Sequence, residues 1–162
     1  MMTERMVCRG VASRTAMLIA AVGILFLATA GAARAQEGPG VQVGVSAQPN
    51  QFYVGAHYVT APIVEQVWFR PNLEVGVGHA QTLVALNFDF VDRLPLKGTP
   101  WKLYFGGGPA LNIDRHNGTT DSGGGLNIVL GVVHPKGLFT EVKVGLVDSP
   151  SFKFGVGYTF GQ

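Results

Sequence analysis

A chain of 162 residues in which 47% are hydrophobic and only 14% charged is sized for one domain and is too apolar for a disordered or solvating segment. Its single cysteine excludes a disulfide framework, and 12 basic against 10 acidic residues, with no basic run or stripe, exclude a nucleic-acid-binding surface.

Residues 1–35 read as a cleaved signal peptide. Arg5, Arg9 and Arg14 make a basic start, residues 16–30 are an apolar run, and Ala33-Arg34-Ala35 is a small-x-small cleavage site. The run is short of the roughly 20 residues a spanning helix needs, so it predicts export and not an anchor. Cys8 precedes it and leaves with it. Four of the 12 basic residues and one of the 10 acids fall in this segment, so the mature domain, residues 36–162, carries eight against nine and a net charge of −1.

From residue 41 onward the chain falls into eight runs of alternating character, as expected of strands whose successive side chains point to opposite faces. Residues 41–48 set Val41, Val43 and Val45 against Gln42, Gly44 and Ser46; residues 51–59 set Phe52, Val54, Ala56 and Tyr58 against Tyr53, Gly55 and His57. Residues 60–66 read as a connection. Residues 67–78 set Leu73, Val75 and Val77 against Asn72, Glu74, Gly76 and Gly78, with Pro71 predicting a bulge or a late strand start. Residues 82–90 set Val84, Leu86, Phe88 and Phe90 against Ala85, Asn87 and Asp89, and residues 92–100 read as a turn. Residues 101–113 alternate Trp101, Leu103, Phe105, Leu111 and Ile113 against Lys102, Tyr104, Gly106, Gly108, Ala110 and Asn112. Residues 114–124 are polar, rich in turn formers, and read as the one long surface loop. Residues 125–134 place Leu126, Ile128, Leu130 and Val132 on one face, and residues 138–147 place Leu138, Val142, Val144 and Leu146 opposite Glu141, Lys143 and Gly145. The last run, residues 151–160, is the clearest: Phe152, Phe154, Val156, Tyr158 and Phe160 against Lys153, Gly155, Gly157 and Thr159. Helical periodicity is lacking after the signal. Eight such strands predict an all-β fold, an antiparallel up-and-down transmembrane barrel, since a tilted strand crosses a bilayer in about 9 to 11 residues.

The non-greasy face decides which side is in. It gathers a polar network of Glu74, Asn87, Asp89, Lys102, Asn112, Asn127, Glu141, Lys143 and Lys153, together with Gln42, Ser46, Thr159 and many glycines. Three acids against three lysines suit a packed lumen in which ions are neutralised, whereas glycines on a solvated outer face would only weaken the strands. Aromatic placement predicts two girdles: Trp68, Phe69, Phe90, Trp101, Phe139 and Phe160 at the periplasmic ends of their strands, and Phe52, Tyr53, Phe152 and Phe154 at the outer ends. A turn at residues 148–150 predicts a register for the final hairpin: Leu146 opposite Phe152, Val144 opposite Phe154, Val142 opposite Val156 and Leu138 opposite Phe160. On the lumen side it sets Gly145 against Lys153, Lys143 against Gly155 and Glu141 against Gly157.

The signal, the alternating strands, the run Tyr104-Phe105-Gly106-Gly107-Gly108-Pro109-Ala110-Leu111-Asn112 and the closing Phe154-Gly155-Val156-Gly157-Tyr158-Thr159-Phe160 resemble the small eight-stranded outer-membrane β-barrels. That family includes the membrane domain of outer-membrane protein A and the opacity-type proteins. The resemblance covers nearly all of residues 36–162 and implies a cell outer-membrane location. It also implies contact with outer-membrane lipids and delivery by periplasmic chaperones and the barrel-assembly machinery.

Motifs for chemistry are sparse. Gly106-Gly107-Gly108 and Gly123-Gly124-Gly125 lack the helix and the Lys-Ser/Thr pair of a phosphate-binding loop, so close strand packing is the better account. Asp114, His116 and Asp121 could offer metal ligands, but one histidine in a polar loop is more often solvated. His57, His116 and Ser122 are the candidates for a hydrolytic set, and His116-Asn117-Gly118 only faintly resembles the His-x-Ser-Asn region of lipid A deacylases, since the serine is missing. The expectation is a non-enzymatic outer-membrane barrel with no cofactor or metal, a plugged polar lumen and a structural, surface-contact or small-ligand role. A lipid-modifying outer-membrane enzyme is one alternative. A soluble, secreted ligand-binding barrel with its greasy face inward is another.

Overall fold

The computed structural model describes residues 37–79, 81–116 and 118–161; the predicted signal peptide lies outside them. Among the described residues the regular structure is entirely β. The strands are β1 (Gly38–Ala47), β2 (Gln51–Val59), β3 (Pro62–Val64), β4 (Val67–Gly78), β5 (Gln81–Pro95), β6 (Lys102–His116), β7 (Thr119–Val133), β8 (Leu138–Val147) and β9 (Phe152–Thr159). Each long strand pairs antiparallel with its neighbours in sequence, β9 pairs with β1, and β2 pairs with β4, which closes an eight-stranded barrel. The three-residue β3 is an addition beside the start of β4, within the segment expected to be plain connection. The connections after β1, β4, β6 and β8 define one end, here the upper end; those after β2, β5 and β7 define the lower.

Alternation sorts the side chains as it must in a closed sheet, with apolar residues out and polar or small residues in. Val43, Val45, Phe52, Leu111, Ile128, Leu130, Phe154 and Val156 are all exposed, while Gln42, Asn72, Glu74, Asn87, Asp89, Asn127, Glu141 and Lys143 are buried. Glycines stand opposite the large inward rings. Tyr53 faces Gly44, His57 faces Gly40, Tyr104 faces Gly131 and Phe139 faces Gly157. A Cβ added at any of these four glycines would run into the ring across from it. The inward glycines are therefore the space into which the rings fold, and they let a narrow barrel hold aromatic side chains at all.

Several expectations are corrected. Pro71 causes neither a bulge nor a late start: β4 pairs without a register shift from Val67 to Gly78 along β5. The reason lies on the other flank. The Phe69 carbonyl accepts from Thr60 N at 3.0 Å, so Pro71, two residues on, presents its missing N–H to the same side, just past Asn72, where the β2–β4 ladder ends. The predicted 92–100 turn is shorter, because β5 continues to Pro95 and Leu96 N donates to Trp101 O at 3.2 Å. Residues 114–116 and 118–124 do not form the expected irregular loop. They continue the β6–β7 ladder with Asp114 opposite Asp121 and His116 opposite Thr119, and Gly118, at φ 86°, supplies the left-handed backbone at the tip.

Three girdle assignments also fail, because position along a strand was used where parity decides. Tyr53 and Phe139 are each only 3% exposed, and Trp68 is half-buried against the inner apolar cluster of Val91, Tyr104, Val129, Val133 and Phe139. The remaining aromatics hold their positions outside, with Phe69 stacked 6.3 Å from Phe88.

The final hairpin is shifted by two residues from its predicted register. Leu138 faces Tyr158, Val142 faces Phe154, Phe139 faces Gly157, Glu141 faces Gly155 and Lys143 faces Lys153. The connection is wider than a tight turn, since Ser149 and Pro150 fold over Gly145 and Ser151 N donates to Gln48 O at 3.4 Å. A shift of two keeps every side chain on its face.

Candidate functional site

Inside the barrel the strands converge on one ionic cluster. β4 supplies Arg70, Asn72 and Glu74 at alternate positions, β5 supplies Asn87 and Asp89, β6 Tyr104, β8 Glu141 and Lys143, and β9 Lys153. Lys143 and Lys153 stand directly opposite each other, an arrangement that would repel. Glu74 relieves it: Lys143 Nζ donates to Oε1 at 3.1 Å and Lys153 Nζ to Oε2 at 2.6 Å, while Gln42 Nε2 donates to Oε1 at 2.9 Å. Lys143 also lies 3.0 Å from Asp89 Oδ2 and 3.7 Å from Glu141 Oε1.

Arg70 completes the cluster from below. Its guanidinium is 2.7 Å from Glu141 Oε2 and 3.2 Å from Asp89 Oδ2, and it donates to Tyr104 Oη at 3.4 Å. Tyr104 in turn donates to Glu141 Oε2 at 2.7 Å. An amide ladder feeds the same acid: Asn127 donates to Asn87 at 2.7 Å, Asn87 to Asn72 at 2.7 Å, and Asn72 to Asp89 Oδ2 at 3.0 Å. Three cations thus balance three anions. Cancellation is what burial demands, because an unpaired ion in this environment costs several kcal/mol.

Of the nine residues expected in the network, Glu74, Asn87, Asp89, Asn127, Glu141, Lys143 and Lys153 come together here. Asn112 is buried higher up, where its Nδ2 donates to the Asp148 backbone oxygen and, at 3.2 Å, to Ser149 Oγ. Lys102 stands lower in the barrel. It has the right parity, but it opens β6 at the lower end and is only half-buried. The third cation is Arg70, which the interruption expected at Pro71 left off the inward face of residues 67–78. The inward parity of Asn72 and Glu74 was the signal that could have found it.

The candidate hydrolytic residues are not brought together. His57 Nε2 lies 3.0 Å from Thr159 Oγ1, beneath the edge of Phe139 at 5.2 Å, while His116 and Ser122 stand exposed in the upper part of the β6–β7 hairpin. Asp114 and Asp121 face each other near its tip, but no group of three or more potential ligands with metal-binding geometry occurs among the described residues. Gly106, Gly107 and Gly108 lie where an added Cβ would meet the backbone oxygens of Phe90, Asn127 and Phe88, so they serve close strand approach.

The geometry defines a class: a closed eight-stranded antiparallel barrel with an ionic interior and an apolar exterior. The chain is similar to the N-terminal β-barrel domain of Pseudomonas aeruginosa OprF, with 13% identity and a TM-score of 0.49 over 77% of this chain and 98% of that one. No family model matches the sequence, and no curated protein matches it either.

Proposed function

We propose that this chain is a non-enzymatic outer-membrane barrel whose lumen is plugged by its own charged side chains and whose contacts with other molecules are made at its exposed ends. The observation that carries the reading is the inverted polarity. Six charged side chains lie buried at the centre, and each strand of the ring carries Val, Leu, Ile or Phe on its outward face. In water that exterior would be a contiguous apolar surface far beyond what soluble monomers expose; in a bilayer it is the matched solvent. The soluble alternative required the greasy face inside, which is opposite to the observed sorting.

The same reading assigns residues 1–35 to export and lipid to the outer face, with periplasmic chaperones and the barrel-assembly machinery as delivery partners. It is tested by cell fractionation, by gel mobility with and without boiling, and by planar-bilayer recording. Expected are an outer-membrane fraction, a mobility shift on boiling, and no large stable conductance. A mature chain that stays monomeric and folded without detergent would reject the membrane assignment, and a porin-like current would reject the plug.

A further inference from the structure

At the upper end the β6–β7 hairpin outgrows its neighbour β8. Residues 119–125 of β7 pair with β6, from His116 opposite Thr119 to Ala110 opposite Gly125. On the other flank β7 pairs with β8 only from Leu126 downward, and a register shift marks the end of that ladder. Among the described residues, residues 119–125 therefore have no strand beside them on the β8 side.

The chain that leaves β8 does not take that place. It bends inward over the mouth: Asp148 Cβ stands 3.5 Å from where a Cβ on Gly123 would be, and Ser149 Oγ lies against the same position of Gly125. Both glycines share the inward parity of the buried Asn127. Asn112 Nδ2 fastens the bend by donating to the Asp148 backbone oxygen and to Ser149 Oγ. The outer side is clear, with nothing within 4 Å of an added Cβ at Gly124, and residues 119–122 and 124 are exposed. Open strand edges are normally blunted by lysine, proline or a cover. Thr119-Thr120-Asp121-Ser122-Gly123-Gly124-Gly125 contains neither lysine nor proline, and its three glycines leave the backbone bare.

Beside this edge lies a cavity of about 410 Å³ whose lining includes Asp121, Ser122, Gly123 and Asp148 and, among the described residues, no lysine or arginine. The side chains of Asp121 and Asp148 are exposed to it. A strand laid along the edge turns alternate side chains to the inward face, next to Asp121 and Gly123. The edge thus suits an extended backbone, and the cavity beside it suits a cationic side chain.

We propose that residues 119–125 are a docking edge for an extended basic peptide segment of a partner protein. The segment adds a strand antiparallel to β7, in the place β8 vacates, and turns a lysine or arginine toward Asp121 and Asp148. In strand addition the main-chain hydrogen bonds give affinity and the pockets for alternate side chains give specificity. A second copy is the poorer occupant, because its own edge brings Asp121 and no basic residue. The proposal deepens the surface-contact reading and rests on it for the exposure of this end. Fractionation and gel mobility decide the membrane assignment without any peptide, so the two fail separately.

The test is fluorescence anisotropy of a labelled heptapeptide of alternating threonine and lysine, titrated with the whole mature chain folded in uncharged detergent micelles. The same peptide methylated on alternate backbone nitrogens, in each of the two phases, and a peptide with glutamate in place of lysine run in parallel. Expected is saturable binding that one methylation phase weakens about ten-fold and the other leaves nearly unchanged, since only one edge of the peptide faces β7. The glutamate peptide should not bind, and Asp121→Asn and Asp148→Asn, each shown folded by its unboiled gel mobility, should weaken binding. In a nitrogen-labelled sample, amide exchange within residues 119–125 should slow at saturating peptide. Equal affinities of the two methylated peptides, binding of the glutamate peptide, or no saturable binding at millimolar peptide would each overturn the proposal. Slowed exchange that rises with protein concentration and needs no peptide would hand the edge to a second copy and overturn it too. Should a substitution prevent folding, the exchange of the unsubstituted protein decides: no slowing at saturating peptide overturns the proposal.

Discussion

At the centre of the lumen, Glu74, Asp89 and Glu141 sit 2.6, 3.0 and 2.7 Å from the nitrogens of Lys153, Lys143 and Arg70. At the upper mouth, Asp114 and Asp121 face each other across two strands, and Asp148 lies nearby over Gly123. The same residue chemistry is handled in opposite ways within one tube. Away from water an ion must be matched where it stands, since neither hydration nor salt will do it. At the open end Asp121 and Asp148 are exposed to both, so like charges can stand together there at little cost. The centre matches each charge where it stands, and the mouth leaves two like charges facing each other.

The hardest blow to that contrast is to unbalance the centre. Lys143→Met removes a fully buried cation from between Glu74, Asp89 and Glu141 and keeps much of its volume. The loss should be about 3 to 5 kcal/mol in urea unfolding from lipid vesicles, as for other buried pairs broken from one side. A loss under about 1 kcal/mol would mean that water enters the centre as freely as the mouth.

A smaller effect tests the packing that keeps water out. Gly157→Phe places a ring where the Phe139 ring already lies and should cost about 1 to 3 kcal/mol by overpacking. Val156→Phe, one residue away on the outer face, should be nearly neutral. The reverse order in the same unfolding assay would invert the assignment of faces.

Parity explains how much of this was readable beforehand. Strand count, closure and the facing of Val41, Phe88, Leu111, Ile128 and Phe154 follow from a period of two, which survives any even error in register. The final hairpin shows the limit. Its predicted pairs were displaced by two residues because turn width depends on how Ser149 and Pro150 pack over Gly145, a tertiary matter absent from local sequence. Arg70 was missed for a related reason: whether a strand tolerates Pro71 depends on where the neighbouring ladder stops. Lys102 shows the converse, since parity gives the face of a residue but not its depth. The opposition of Asp114 and Asp121 lay inside a stretch read as loop, so the acidic mouth could not be assembled from sequence at all.

The smallest expected effect is also the one with a change of sign. Asp89→Asn at the centre should destabilise at every ionic strength, because the carboxylate it removes holds Arg70, Lys143 and Asn72 together. Asp121→Asn at the mouth should do the opposite. Its carboxylate stands directly across from Asp114, and like charges in facing positions destabilise a strand pair by roughly 0.2 to 1 kcal/mol. Asp114 stays fixed by Gln81 Nε2, so removing the charge at 121 relieves repulsion without freeing its neighbour. The gain should be a few tenths of a kcal/mol at low salt and should fade toward zero near 1 M, where the screening length falls to about 3 Å. Urea unfolding of the two variants at low and high salt makes the comparison directly. A salt-independent loss from Asp121→Asn would show that acid to be held by partners in the manner of Asp89, and the distinction between a matched centre and an unmatched mouth would fail at the residue on which it depends most.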